Sequence, residues 1–118
     1  MQKVIPVFHI TDYSKSLAFY VDNLGFEVDW QHVFEAGFPV FAQITKEDMT
    51  IYLSEHKEDC AVGGLIYLFV NDVDTWYNEL KINKNIVISN PPNEDIEGLR
   101  TMTILDPDLN QLRICTRV

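Results

Sequence analysis

Three histidines, His9, His32 and His56, are the side chains of this chain best suited to hold a divalent metal or to carry a proton near neutral pH. A metal site needs several donors brought together, and the sequence groups only His56 with acids, Glu55 and Glu58. Lys57 and Asp59 alternate with them, so the group reads as a solvated turn. Cys60 and Cys115 lack the CxxC spacing of redox and zinc sites and read as structural. No serine or cysteine has a histidine at a spacing that marks a nucleophile and its base, and no glycine loop is present to cradle phosphate. The chemistry left open is binding, through aromatic side chains with a few polar groups between them, which is how pockets for small organic molecules are lined.

The chain has 118 residues, 47% apolar and 23% charged, with a formal charge of −9. That is enough apolar material for one domain with a core of its own. A field of this sign repels phosphate, so nucleic acids and anionic membranes are not expected as partners, whereas a cationic small molecule is attracted. No stretch nears the ~18 apolar residues of a membrane span, and the Met-Gln-Lys start runs straight into a strand without a secretory leader. A cytoplasmic location is therefore expected.

The elements that position these residues occur twice. An apolar strand, a helix-capping aspartate and a short amphipathic helix span residues 5–25 and again 65–85, with Asp12 and Asp72 each seven residues after the first apolar position. The first helix starts at Tyr13, carries the stripe Tyr13, Leu17, Tyr20, Val21 and Leu24, and stops at Gly25. The second starts at Val73 with Trp76, Tyr77 and Leu80 on its stripe. Strands are expected at residues 26–34, 38–44 and 49–54 in the first half, and at 86–88, 101–105 and 111–116 in the second. Residues 55–64 form the hinge, and 89–100 form a long loop suited to a lid or a subunit contact. The reading is an α+β fold of two βαβββ modules, residues 1–56 and 64–118, making an incomplete barrel around a concave cavity.

Alternation assigns the cavity wall. A four-residue turn at 45–48 pairs Ile44 with Met49 and Phe41 with Tyr52. Val40, Ala42, Ile44, Ile51 and Leu53 then face the helix, while Phe41, Gln43, Thr50, Tyr52 and Ser54 face the cavity. His9 shares cavity parity with Ile5, and Tyr67 and Phe69 share it with Leu65. Trp30 and His32 share parity with the core-facing Phe26 and Val28 unless a β-bulge shifts them. With unbroken parity Glu27, Asp29 and Gln31 face the cavity, where a carboxylate meets a cationic ligand or pairs with Arg113. Candidate ligand contacts are thus His9, Asp29, Trp30, Phe41, Gln43, Tyr52, Tyr67, Phe69 and Arg113.

The segment with Ile5 seven residues before DYSKSLAFYVDNLGF, together with TILDPDLNQLRI near the end of the chain, resembles the two signature stretches of the vicinal oxygen chelate superfamily. That superfamily includes glyoxalase I, extradiol dioxygenases, fosfomycin-resistance enzymes and bleomycin-resistance proteins. The resemblance covers essentially the whole chain and implies the paired-module fold. The family usually has glycine where this chain has Leu109, and Asn110 is expected to take the left-handed conformation the turn needs. Metal-using members carry one His or Glu ligand on each of four strands. The matching positions here are Ile5, Tyr52, Leu65 and Arg113, none of which coordinates a divalent cation. The resemblance is therefore closest to the metal-free bleomycin-resistance proteins. It implies no metal and no cofactor, a homodimer, and a cationic or aromatic drug held in a groove between subunits. The alternative is a metal-dependent lyase, isomerase or dioxygenase of the same superfamily, with His9, His32 or His56 recruited as ligands.

Overall fold

The repeated pattern folds into two copies of one unit in a computed structural model that describes residues 2–118. The first unit contains β1 (Val7–His9), α1 (Tyr13–Leu17), β2 (Glu27–His32), β3 (Phe41–Lys46) and β4 (Met49–Ser54). The second contains β5 (Leu65–Phe69), α2 (Val73–Leu80), β6 (Val87–Asn93), β7 (Leu99–Leu105) and β8 (Gln111–Arg117). Each forms an open four-stranded mixed sheet, ordered β1-β4-β3-β2 and β5-β8-β7-β6, with its first strand parallel to its last. Among the described residues, no helix is long and apolar enough to cross a membrane.

The two aspartates act as the repeat requires. Asp12 accepts a hydrogen bond from the Lys15 amide, and Asp72 accepts one from the Asp74 amide, so each satisfies an otherwise orphaned donor at a helix start. α1 then widens into a π-helical segment, Ala18–Asn23, closed by the Leu24 amide bonding to the Phe19 carbonyl. The widened turn buries the adjacent Phe19 and Tyr20, packed edge to face at 4.8 Å, where the helical stripe had placed Tyr20 and Leu17. Phe8, Ile10, Ile44, Ile51 and Leu53 join Met102, Ile104, Leu112 and Ile114 and the helix side chains in one core drawing on both units. Those alternating positions are fully or almost fully buried, which leaves the intervening residues on the opposite face of each sheet.

Two connections depart from expectation. The β3–β4 turn is two residues long, with Lys46 opposite Met49, Ile44 opposite Ile51 and Phe41 opposite Ser54. Glu47 takes φ 54°, as a tight hairpin requires. Moving the register by an even number leaves every side chain on its expected face. In the second sheet β6 runs on through Asn93, so the long loop contracts to residues 94–98. Pro91 and Pro92 fit inside β6 because it is an edge strand, where an absent N–H breaks no ladder. Register shifts at Ile88/Asn90 and Asn90/Asn93 absorb the irregularity.

The segment joining the two units packs against β1. The Cys60 thiol lies 3.6 Å from the Val7 carbonyl, and a Cβ on Gly64 would come within 3.1 Å of the Phe8 ring. Asn110 ties this junction together. Its carbonyl oxygen accepts from the Gly63 and Gly64 amides at 3.0 and 2.9 Å, and its amide nitrogen donates to the His9 carbonyl at 3.0 Å and to Asp106 at 2.9 Å. Asp106 also accepts from the Tyr20 hydroxyl at 2.8 Å. The left-handed residue of the turn is Leu109, at φ 65°, and not Asn110. Leu109 is 64% exposed and has little packing to lose. Leu109→Gly is therefore expected to raise stability by about 0.5–1 kcal/mol, relief of left-handed strain outweighing glycine's extra entropy in the unfolded chain. A higher urea midpoint at unchanged slope is the expected reading, and a lower midpoint contradicts it.

Candidate functional site

The site is built on the sheet faces that the helices leave open. On the first sheet a bulge between Val28 and Trp30 shifts the β2 register, setting Trp30 opposite Gln43 and His32 opposite Phe41. Trp30 and His32 therefore join Phe41, Gln43 and Tyr52 on the open face, contrary to the core-facing placement of simple alternation. Gln31 turns to the helix side, where it accepts a hydrogen bond from the Tyr13 hydroxyl at 2.8 Å, so the expected cavity position for Gln31 is not the one it takes. Trp30 stacks on Phe41 at 5.9 Å and 21° and leans on Tyr52 at 5.7 Å, and Phe41 meets Tyr52 at 5.0 Å. The outermost ring of this triad, Trp30, remains 41% exposed. Phe34 extends the aromatic wall through an edge contact with His32 at 4.7 Å.

Polar groups beside the triad are oriented by one another. Asp29, the extra residue of the bulge, accepts from the Thr45 hydroxyl and from Gln43 Nε2 at 2.9 Å. These bonds, Thr45's first and Gln43's second, hold its carboxyl below the usual carboxylate range. Asp29 does not pair with Arg113, whose Nη1 instead donates to the Tyr67 hydroxyl at 2.8 Å. His9 has open-face parity opposite Ser54 but is only 7% exposed, and its Nδ1 is buried without a hydrogen-bond partner.

On the second sheet Leu65, Tyr67 and Phe69 lie on the open face opposite Gln111, Arg113 and Cys115. The Arg113 guanidinium sits 5.5 Å from the centre of the Tyr67 ring, and that of Arg117 sits 4.5 Å from the centre of Phe69. Tyr67 and Phe69 are 39% and 45% exposed. A cleft of about 220 Å³ at the seam between the sheets brings Tyr67 and Phe69 together with Pro6 and Thr50.

A divalent metal has no fitting donor set at the family positions. Ile5 precedes β1, Tyr52 belongs to the aromatic triad, Leu65 opens β5, and Arg113 presents a cation to Tyr67. Two aliphatic side chains, a phenol and a guanidinium offer no charged oxygen or imidazole nitrogen. Among the described residues, no three His, Cys, Asp or Glu side chains gather elsewhere.

A cavity of about 850 Å³ lies off the open face, between the start of α1 and the β2–β3 loop, lined by Tyr13, Phe34, Phe38 and Glu55 among others. Sequence reading missed it, although two phenylalanines in a turn were a visible signal. Glu55 already serves the fold there, accepting from the Tyr13 amide at 3.0 Å and the Val40 amide at 2.9 Å.

Paired βαβββ units, each with a four-stranded mixed sheet, define a fold of the glyoxalase type. The glyoxalase superfamily model matches residues 1–118, and the chain belongs to that superfamily. It is 28% identical over 116 residues to YraH of Bacillus subtilis (strain 168), spanning 89% of this chain and 90% of that protein. TnmS3, an antibiotic binding protein from Streptomyces sp. CB03234, shares the fold with a TM-score of 0.76 at 20% identity, over 99% of this chain and 98% of that one. A member of the glyoxalase/bleomycin resistance protein/dioxygenase superfamily from Sphaerobacter thermophilus DSM 20745 matches with a TM-score of 0.76 at 23% identity, over 98% of each chain.

Proposed function

We propose that this protein binds and sequesters a small aromatic or amphiphilic molecule, in the manner of the bleomycin-resistance proteins, without metal and without chemistry. The observation that carries the reading is the Trp30–Phe41–Tyr52 triad, an exposed stacking platform flanked by Gln43 and Asp29 where a core would otherwise need no polar groups. The residues at the four family metal positions support the metal-free part of it. The antibiotic-binding character of TnmS3 supports the ligand class, and the −9 charge favours approach of drugs with cationic tails.

The reading includes a homodimer. Leu65, Tyr67, Phe69 and Trp30 are exposed large apolar side chains on the two open sheets of one chain, and a two-fold partner would cover them and convert the open faces into grooves. It also places the protein in a reducing cytoplasm, consistent with two unpaired cysteines.

Native mass spectrometry of chelator-treated protein, offered a panel of aromatic antibiotics that includes bleomycin, reads all three parts together. The expected spectrum is a dimer free of metal that gains the mass of a drug. A monomer that binds nothing, or binding that returns only with added divalent metal, overturns the reading.

A further inference from the structure

The two open faces carry opposite charge. Among the strand residues of the second sheet there is no aspartate or glutamate, although the chain has 18 of them, and all of its arginines, Arg100, Arg113 and Arg117, lie on β7 and β8. Arg100 is neutralised by Asp74 at 2.8 Å and Glu94 at 3.5 Å. Arg113 and Arg117 form no ion pair among the described residues; Arg113 meets the ring and hydroxyl of Tyr67, and Arg117 the ring of Phe69. A strongly acidic protein has thus kept two uncompensated guanidinium groups on the face that its ligand is proposed to meet.

From this we infer that the ligand carries an oxyanion, a carboxylate or its equivalent, on its aromatic body, and that Arg113 with the Tyr67 hydroxyl receives it. This assignment deepens the binding reading above and rests on it. Tyr67 accepts from Arg113 Nη1 at 2.8 Å, which leaves the hydroxyl proton free to donate toward the groove. The remaining guanidinium N–H groups can take the two oxygens of a carboxylate side by side, and such charge-assisted bonds are roughly twice as strong as neutral ones. The bond to the Tyr67 hydroxyl and the nearby ring restrain the guanidinium, so less freedom is lost on binding. Arg117 lies four residues further along the same face of β8, about 13 Å away at strand rise, and serves the rim. A cationic group is met on the other sheet instead, where Asp29 accepts from Thr45 and Gln43 through Oδ2 alone. The long-range field and the local site therefore select different parts of the ligand.

Three probes of one shape test the assignment: 2-naphthoate, 2-naphthamide and 2-naphthylmethylammonium, titrated into the dimer and followed by chemical shifts of the Arg113 and Tyr67 side chains. The expected order has naphthoate binding at least tenfold more tightly than naphthamide. Arg113→Gln should bring the two level, Tyr67→Phe should lower the ratio part way, and Arg117→Gln should change it little. Equal affinity of acid and amide in the unmodified protein, or tightest binding by the ammonium probe, overturns the assignment while leaving the aromatic platform standing. Failure of all three probes to shift any open-face resonance overturns the binding reading and this inference with it. Because the decisive ratio is measured on the unmodified protein, a variant that folds poorly does not rescue either one.

Discussion

Asn110→Ala is expected to destabilise the protein by about 3–5 kcal/mol, since it removes four hydrogen bonds of a buried side chain and leaves the buried His9 carbonyl and Asp106 each short of a donor, at about 1–3 kcal/mol apiece. Two glycine amides lose their acceptor, and the His9 carbonyl and Asp106 lose a donor. The loss falls on the junction between the two units, so urea denaturation should show a much lower midpoint and native-state exchange should show the Gly63 and Gly64 amides opening first. A change below about 1 kcal/mol would mean that water replaces the side chain at little cost. Asn110→Asp restores the acceptor but sets a second carboxyl against Asp106, and it should rescue little.

Asp106 gives the same junction a pH signature. Burial raises its pKa above the ordinary carboxylate value, against the lowering bonds from Asn110, Tyr20 and Asp108. A folded pKa above the unfolded one means that this group's contribution to stability is fully present below the unfolded pKa and is lost as pH rises through the folded pKa. Asp29 works the other way, its lowered pKa giving stability that is lost as pH falls through the folded value. In Asn110→Ala the Asp106 carboxyl should titrate still higher, because a bond to its charged form is gone, and carboxyl resonances followed by NMR can check this.

The second large effect falls on binding. Trp30→Ala and Tyr52→Ala should each cost about 1–3 kcal/mol of ligand affinity through loss of an aromatic contact in the groove. Stability should change far less, because both rings lie on the open face and not among the fully buried Ile44, Ile51 and Leu53 beneath them. The contrast matters: Ile51→Ala removes a side chain with no exposure and should cost about 2–5 kcal/mol of stability. If Tyr52→Ala unfolds the protein as Ile51→Ala should, the triad is a core and not a platform.

How far such assignments could be read from residues alone differed by element. Asp12 and Asp72 announced both helix starts because capping is local chemistry, decided by one side chain and an amide two or three residues on. The faces of residues 41–44 and 50–54 in β3 and β4 were legible even though the turn, expected at 45–48, was too long by two, since an error of two residues on a strand of period two cancels. Trp30 shows where this reasoning stops. One extra residue at Asp29 reverses the faces of Trp30, Gln31 and His32, and nothing in EVDWQH distinguishes a bulge from a regular strand without its partner strand. Prolines at 91 and 92 suggested a loop because proline's permission to sit at a sheet edge depends on strand order, a long-range property. Leu109 and Asn110 exchanged expected roles for the same reason, as Asn110's partners lie at His9, Gly63 and Gly64, far away in sequence.

The central claim, that an open aromatic face takes a small molecule without metal, is tested most directly by calorimetric titration of chelator-treated protein with bleomycin and other aromatic cationic drugs, repeated on Trp30→Ala. The expected result is saturable binding that is indifferent to chelator, weakens with added salt and is reduced by roughly 5- to 150-fold in the variant. Affinity no tighter than about millimolar, roughly −4 kcal/mol, for every drug tried would contradict it.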